Sequence, residues 1–166
     1  YYVYDNYCLS AHYGDSVSRD EMFRLHRQWD VYYGSGRTAP GPAHDNAPDP
    51  ERRLRIGYVS PDFRCHSVTF FSLPIIHGHD RTAFEVFCYS NLQTPDSMTE
   101  NFQAFTDHWR DVHGMAPAEI VDLVKADGID ILVDLAGHTA DNLLPVFSYK
   151  PAPVQVTYLG YPNTTG

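Results

Sequence analysis

Cysteine and lysine are scarce in this chain, and no apolar stretch is long. The three cysteines, Cys8, Cys65 and Cys88, stand without any C-x-x-C spacing. An odd, dispersed set gives neither a disulfide framework nor a zinc knuckle, and it fits a reducing cytosol. The 12 basic residues include only two lysines, Lys125 and Lys150, against 21 acidic ones, for a formal net charge of -9. Such a chain lacks the basic face that non-specific nucleic-acid binding needs. No apolar run approaches the ~20 residues of a membrane span. The opening Tyr1-Tyr-Val-Tyr-Asp5 has no basic n-region and no apolar h-region, so no secretory signal is visible and the expected setting is cytoplasmic. Without that signal, the Asn163-Thr-Thr165 sequon reads as chance. The missing initiator Met and the stop after Gly-Tyr-Pro-Asn-Thr-Thr-Gly166 read as a piece cut from a longer chain.

What is present is aromatic. Twelve Tyr, nine Phe and two Trp among 166 residues exclude a largely disordered chain and suit one globular unit. Residues 1–33 read as helical. Ser18 and Glu21 have capping-box spacing, and Met22, Leu25 and Trp29 recur at three and four residues. His26 and Trp29 are assigned to a packing face. Residues 34–52 read as a linker, with four prolines and three glycines between Gly34 and Pro50. The helical segment is expected to be the tail of a preceding region.

From Arg53 onward, strands and helices alternate. Strands are predicted over 54–60, 84–90, 129–135 and 154–159, with a short one over 108–112. Helices are predicted over 67–78, 97–106, 117–127 and 141–149. The clearest has Pro117 in its first turn and Gly128 beyond its end. Short links between such elements imply a Rossmann-like parallel sheet, an α/β unit covered on both faces.

Ligands of an open parallel sheet bind outside the carboxyl ends of its strands. That rule selects Ser60–Ser67, Asn91–Thr94, Ala136–Thr139 and Gly160–Gly166. The first of these loops has no G-x-G-x-x-G, which argues against dinucleotide chemistry, and no Walker A, G-x-S-x-G or H-E-x-x-H sequence occurs elsewhere. His66, just after a strand exit, is the candidate general base. A neutral imidazole near a helix start can take a proton from an attacking hydroxyl. His138 and His108 are weaker candidates. His77, His79 and Asp80 read as a solvated turn, because no second ligand cluster accompanies them. Asp134, inside an apolar strand, is read as a buried carboxylate whose pKa burial can raise.

Three ordered blocks carry a resemblance. Arg53-Leu-Arg-Ile-Gly-Tyr-Val-Ser-Pro-Asp-Phe-Arg-Cys-His-Ser67 resembles the opening of the catalytic region of the O-GlcNAc transferase family. Asp130-Ile-Leu-Val-Asp-Leu-Ala-Gly-His-Thr139 resembles a later segment. Pro151-Ala-Pro-Val-Gln-Val-Thr-Tyr-Leu-Gly-Tyr-Pro-Asn-Thr-Thr-Gly166 matches a third, with Lys150 in place of the family's arginine. The resemblance covers about 53–166. It implies the N-terminal half of a GT-B glycosyltransferase that transfers N-acetylglucosamine from UDP-GlcNAc to Ser or Thr hydroxyls of acceptor proteins, with inversion and without a metal or other cofactor. It further implies that His66 is the catalytic histidine, that His108, Leu159, Gly160 and Pro162 bind substrate, and that tetratricopeptide repeats precede this region. Most nucleotide contacts, including an essential lysine, would come from a C-terminal catalytic half, so this piece alone is expected to be inactive. The other readings are a branch that uses GDP-fucose, a non-enzymatic Rossmann-like interaction module, and a nucleotide-sugar epimerase of the same two-half architecture.

Overall fold

Side chains that alternate along a strand are buried on both sides only if helices cover both faces of the sheet. The computed structural model, which describes residues 1–34, 44–49 and 51–166, has that arrangement. Strands β1 (Leu54–Ser60), β2 (Phe84–Ser90), β3 (His108–Asp111), β4 (Ile131–Asp134) and β5 (Val154–Thr157) form one sheet in the order β3-β2-β1-β4-β5. Every pairing is parallel. Val59, Phe87, Tyr89 and Leu132 point to one side, against Ile120, Val121 and Val124 of α5 (Pro117–Ala126) and Val146 of α6 (Leu144–Phe147). Ile56, Tyr58, Val86 and Cys88 point to the other, against Ile76 of α3 (Thr69–Gly78) and Phe102 of α4 (Ser97–Ala104). Each such aliphatic or phenyl side chain contributes roughly 1.5–3 kcal/mol on burial. Gly57 gives the Tyr89 ring its room, since a Cβ there would stand 2.9 Å from that ring. The Tyr89 hydroxyl then donates to Asp127 (2.8 Å).

β1 and β2 have their expected bounds. The helix expected over 141–149 shrinks to four residues because Asp141 and Lys150 adopt left-handed φ values of 56° and 48°. β5 stops at Thr157 rather than 159, and Leu159, at φ 56°, turns the chain. Of the expected linker, 35–43 and 50 lie outside the described residues. Its last part is tied to the sheet through Asp130, which accepts from Arg52, from Asn46 Nδ2 (2.6 Å) and from Arg55 N–H (2.8 Å).

The N-terminal segment forms α1 (Tyr2–Ala11), α2 (Arg19–Trp29) and a π-helical turn over Asp30–Gly34. Ser18 caps α2 by accepting from Glu21 N–H (3.2 Å). His26 and Trp29 are buried, as the packing face requires. The expected tail does not stand apart from the sheet: α1 and α2 pack on loops 136–142 and 158–166 through Asp5, His12 and His26. Among the described residues, no helix is long and apolar enough to cross a membrane.

Candidate active site

The order of strands reverses between β1 and β4, and loops leaving those two strands diverge to leave a crevice. A cavity of about 660 Å³ lies there, and all four segments selected from the strand exits contribute to its wall. Its first wall follows β1. Ser60 Oγ accepts from Asp62 N–H (2.9 Å), and Phe63 is fully buried against Phe102 and Trp109, so the loop is anchored at its centre. Thr69 Oγ1 donates to the Asp62 and Arg64 carbonyls. Asp96 ties this loop to the one after β2. It accepts from Cys65 N–H (2.7 Å) while capping α4 through Met98 and Thr99 N–H. The Cys65 hydrogen bond, with those of the cap, holds the Asp96 carboxyl below its ordinary range.

His66 projects into this cavity, its side chain 38% exposed, three residues before α3 begins. Its Nδ1 accepts from Val68 N–H (3.3 Å) and stands 3.8 Å from Asp62 Oδ2. In this arrangement, Nδ1 presents its lone pair to the backbone. Asp62 is engaged by Arg64 (3.0 Å), the one arginine or lysine among the described residues that line the cavity.

The far wall belongs to β4 and β5. Asp134, 1% exposed, accepts from Ala136 N–H (3.0 Å), Gly137 N–H (2.9 Å) and Thr157 Oγ1 (2.9 Å). Burial raises its carboxyl above the ordinary range, against the opposing pull of those hydrogen bonds. Asp134 is thereby the bracket that joins the two strand exits. Gly160 lies directly over this bend, and a Cβ on it would stand 1.8 Å from the Leu135 carbonyl oxygen. Gly137, at φ 58°, has no room for a side chain either, because Tyr161 packs on it.

The structure thus brings His66, Leu159 and Gly160 to one cavity. It does not bring His108 there. That residue opens β3 level with Phe87, stacks on the Phe87 ring (4.2 Å) and bonds Glu85 (2.7 Å), which lines a separate cleft at the opposite end of the sheet. A histidine at the start of a parallel strand lies at the end opposite the carboxyl rim, which the strand expected over 108–112 already implies for His108. Pro162 is exposed and outside the cavity lining. His138 is fully buried behind the wall, bonded to Asp5. His79 Nε2 hydrogen-bonds with the Tyr58 hydroxyl (2.7 Å) and the ring packs on Phe84, and His77 packs on Phe105. Asp62 and Asp96 escape the sequence reading. Asp96 organises backbone N–H groups after β2, and Asp62, after β1, faces the Arg64 and His66 side chains.

This is a Rossmann-like α/β unit with its cavity at the strand-order reversal. The family model of glycosyl transferase family 41 matches residues 40–166, and the chain belongs to that family. It is 42% identical over 169 residues to the Arabidopsis thaliana protein SPINDLY, named a probable UDP-N-acetylglucosamine–peptide N-acetylglucosaminyltransferase. That match covers 97% of this chain and 18% of the relative. It is 35% identical over 117 residues to the Caenorhabditis elegans UDP-N-acetylglucosamine–peptide N-acetylglucosaminyltransferase, covering 69% of this chain and 10% of that protein. The solved structure of an O-GlcNAc transferase mutant from Thermobaculum terrenum superposes with a TM-score of 0.94 at 45% identity. The superposition covers 99% of this chain and 31% of that one, so the sheet is the N-terminal half of a GT-B fold.

Proposed function

We propose that this chain is the N-terminal catalytic half of a cytoplasmic protein O-linked N-acetylglucosaminyltransferase. The complete enzyme performs inverting, metal-free transfer of GlcNAc from UDP-GlcNAc to Ser or Thr hydroxyls, and this half alone is inactive. The observation that carries this reading is the meeting of His66 with Leu159 and Gly160 across one cavity at the β1–β4 reversal. Inverting transfer needs a base beside the acceptor hydroxyl, a shaped pocket for the sugar and a clamp for the departing diphosphate. His66 Nε2 takes the hydroxyl proton. In the structure Nδ1 accepts from Val68 N–H, and a neutral ring then carries its proton on Nε2. The role of base requires the other tautomer, in which Nδ1–H gives up the Val68 contact and turns to Asp62 Oδ2, 3.8 Å away. Leu159 and Gly160 offer backbone to the sugar, with Pro162 continuing the same loop.

The clamp belongs to a C-terminal catalytic half of a longer chain. A diphosphate carries at least two negative charges, and Arg64, already paired with Asp62, cannot balance them alone. On this reading, residues 1–33 are the end of a repeat region that recruits acceptor proteins and 34–52 the linker between that region and the catalytic half. The test is intact-mass spectrometry of Ser/Thr-containing proteins incubated with the full-length protein, EDTA, and either UDP-GlcNAc or GDP-fucose. The expected result is a gain of one N-acetylhexosamine that EDTA leaves unchanged. A fucose gain would replace the donor. No gain from either sugar with a folded protein would reduce the chain to an interaction module.

A further inference from the structure

Behind the wall formed by β4 and β5 lies a buried polar network that the proposed reaction does not use. Asp5 of α1 is 2% exposed and His138 is fully buried, and they pair at 2.8 Å. The other His138 nitrogen faces the Thr165 carbonyl (3.1 Å). Both partners are acceptors only, so the doubly protonated ring satisfies both, with its charge matched by Asp5. His26 differs. Its Nδ1 donates to the Met22 carbonyl (2.7 Å), and its Nε2 accepts from the Tyr161 hydroxyl (2.7 Å), the pattern of a neutral ring. His12 repeats that pattern, donating from Nδ1 to the Cys8 carbonyl (3.0 Å) and accepting from Asn163 Nδ2 (3.1 Å).

The outward ends of this network are tied to the cavity wall. Asp5 Oδ2 accepts from Asn142 Nδ2 (2.9 Å), which also donates to the Thr139 carbonyl (2.8 Å), and this turn carries Thr139 and Asp141 into the lining. Tyr161, held by His26, packs on Gly137 and immediately follows Leu159 and Gly160. Burying an ion pair costs several kcal/mol per ion before the partners repay it, and an apolar contact of the same shape would hold α1 to the loop after β4 as firmly. What hydrogen bonds add is a single geometry for the groups they join.

We infer that Asp5 and His138 are positioning residues that set Thr139–Asp141 and Leu159–Gly160 for the donor sugar. The inference rests on the transferase reading. A wall that holds the sugar alike in the ground and transition states acts on KM, whereas a base acts on kcat.

The experiment compares Asp5→Asn, His138→Gln and the double variant in the full-length protein, using UDP-GlcNAc and following hydrogen exchange alongside kinetics. Each single variant is expected to raise the donor KM about tenfold with kcat within about threefold of the parent. The double variant should be no worse than the more affected single one, because the pair acts as a unit. Amides of 136–142 and 158–161 should lose protection while those of β1 and β2 keep it. Unchanged KM, additive losses, or loss of protection throughout the sheet would each overturn the inference. If the parent transfers no sugar, the transferase reading falls by itself. The exchange pattern, which needs no donor, then still reports whether Asp5 and His138 order the wall.

Discussion

At position 160 the absence of a side chain decides how closely two strand exits approach. The Gly160 Cα lies against the Leu135 carbonyl, and that oxygen belongs to backbone held by Asp134, so it cannot swing aside. Gly160→Ala is expected to cost about 2 kcal/mol of stability, the range of overpacking in a rigid site, and to open the wall beside Leu159. Urea melts of the variant read this directly, and an unchanged midpoint would show that the loop yields. His66 and Gly160 are legible in the sequence because both sit at strand exits, where chemistry concentrates in an open sheet. The strand expected over 108–112 sets His108 at an amino-terminal strand end, and only the family resemblance assigns it to substrate. The register of β3 against β2 pairs it with Phe87 and turns it to Glu85 at that end. Asp5 offers no local sign, because its partner His138 is 133 residues away in sequence.

At the scale of elements, β1 and β2 are readable to the residue because both are buried on two faces and carry continuous apolar and aromatic runs. Where side-chain hydrogen bonds and left-handed residues set the path, as around α6, periodicity misleads: Asn142 Oδ1 takes Leu144 N–H and the helix starts there. The α1–α2 pair, expected to be the tail of a preceding region, packs on loops 136–142 and 158–166. Its stability carries a pH signature. Burial, with the neighbouring His138 and His12, holds His26 below its ordinary pKa of 6.5 despite the Met22 hydrogen bond. The unfolded chain therefore binds a proton more readily than the folded one. The His26 contribution is fully present above pH 6.5 and is lost as pH falls from there through the lowered folded value. Urea melts followed by tryptophan fluorescence should show a smaller midpoint at about pH 5.5 than at about pH 7.5, with the difference reduced in His26→Gln. Equal pH dependence in parent and variant would show that His26 is not the group responsible.

Across the whole molecule, a parallel sheet in the order β3-β2-β1-β4-β5 leaves a single reversal point, and the cavity with His66 lies at it. The alternation of strands and helices makes this architecture legible from Arg53 onward, and three sequence blocks point to the family to which the chain belongs. The partners of the site are less accessible, since the chain spans 18% of the SPINDLY protein of Arabidopsis thaliana. The central claim is that His66 accepts the proton of the acceptor hydroxyl. The direct measurement is the transfer rate of full-length His66→Ala at saturating donor, with folding verified by its melting temperature. Loss of general-base catalysis predicts a kcat reduced at least about 100-fold, within the usual range of roughly 10²–10⁴, and an unchanged melting temperature. Transfer at the parent rate would contradict the central claim and leave His66 a structural residue of the β1 loop.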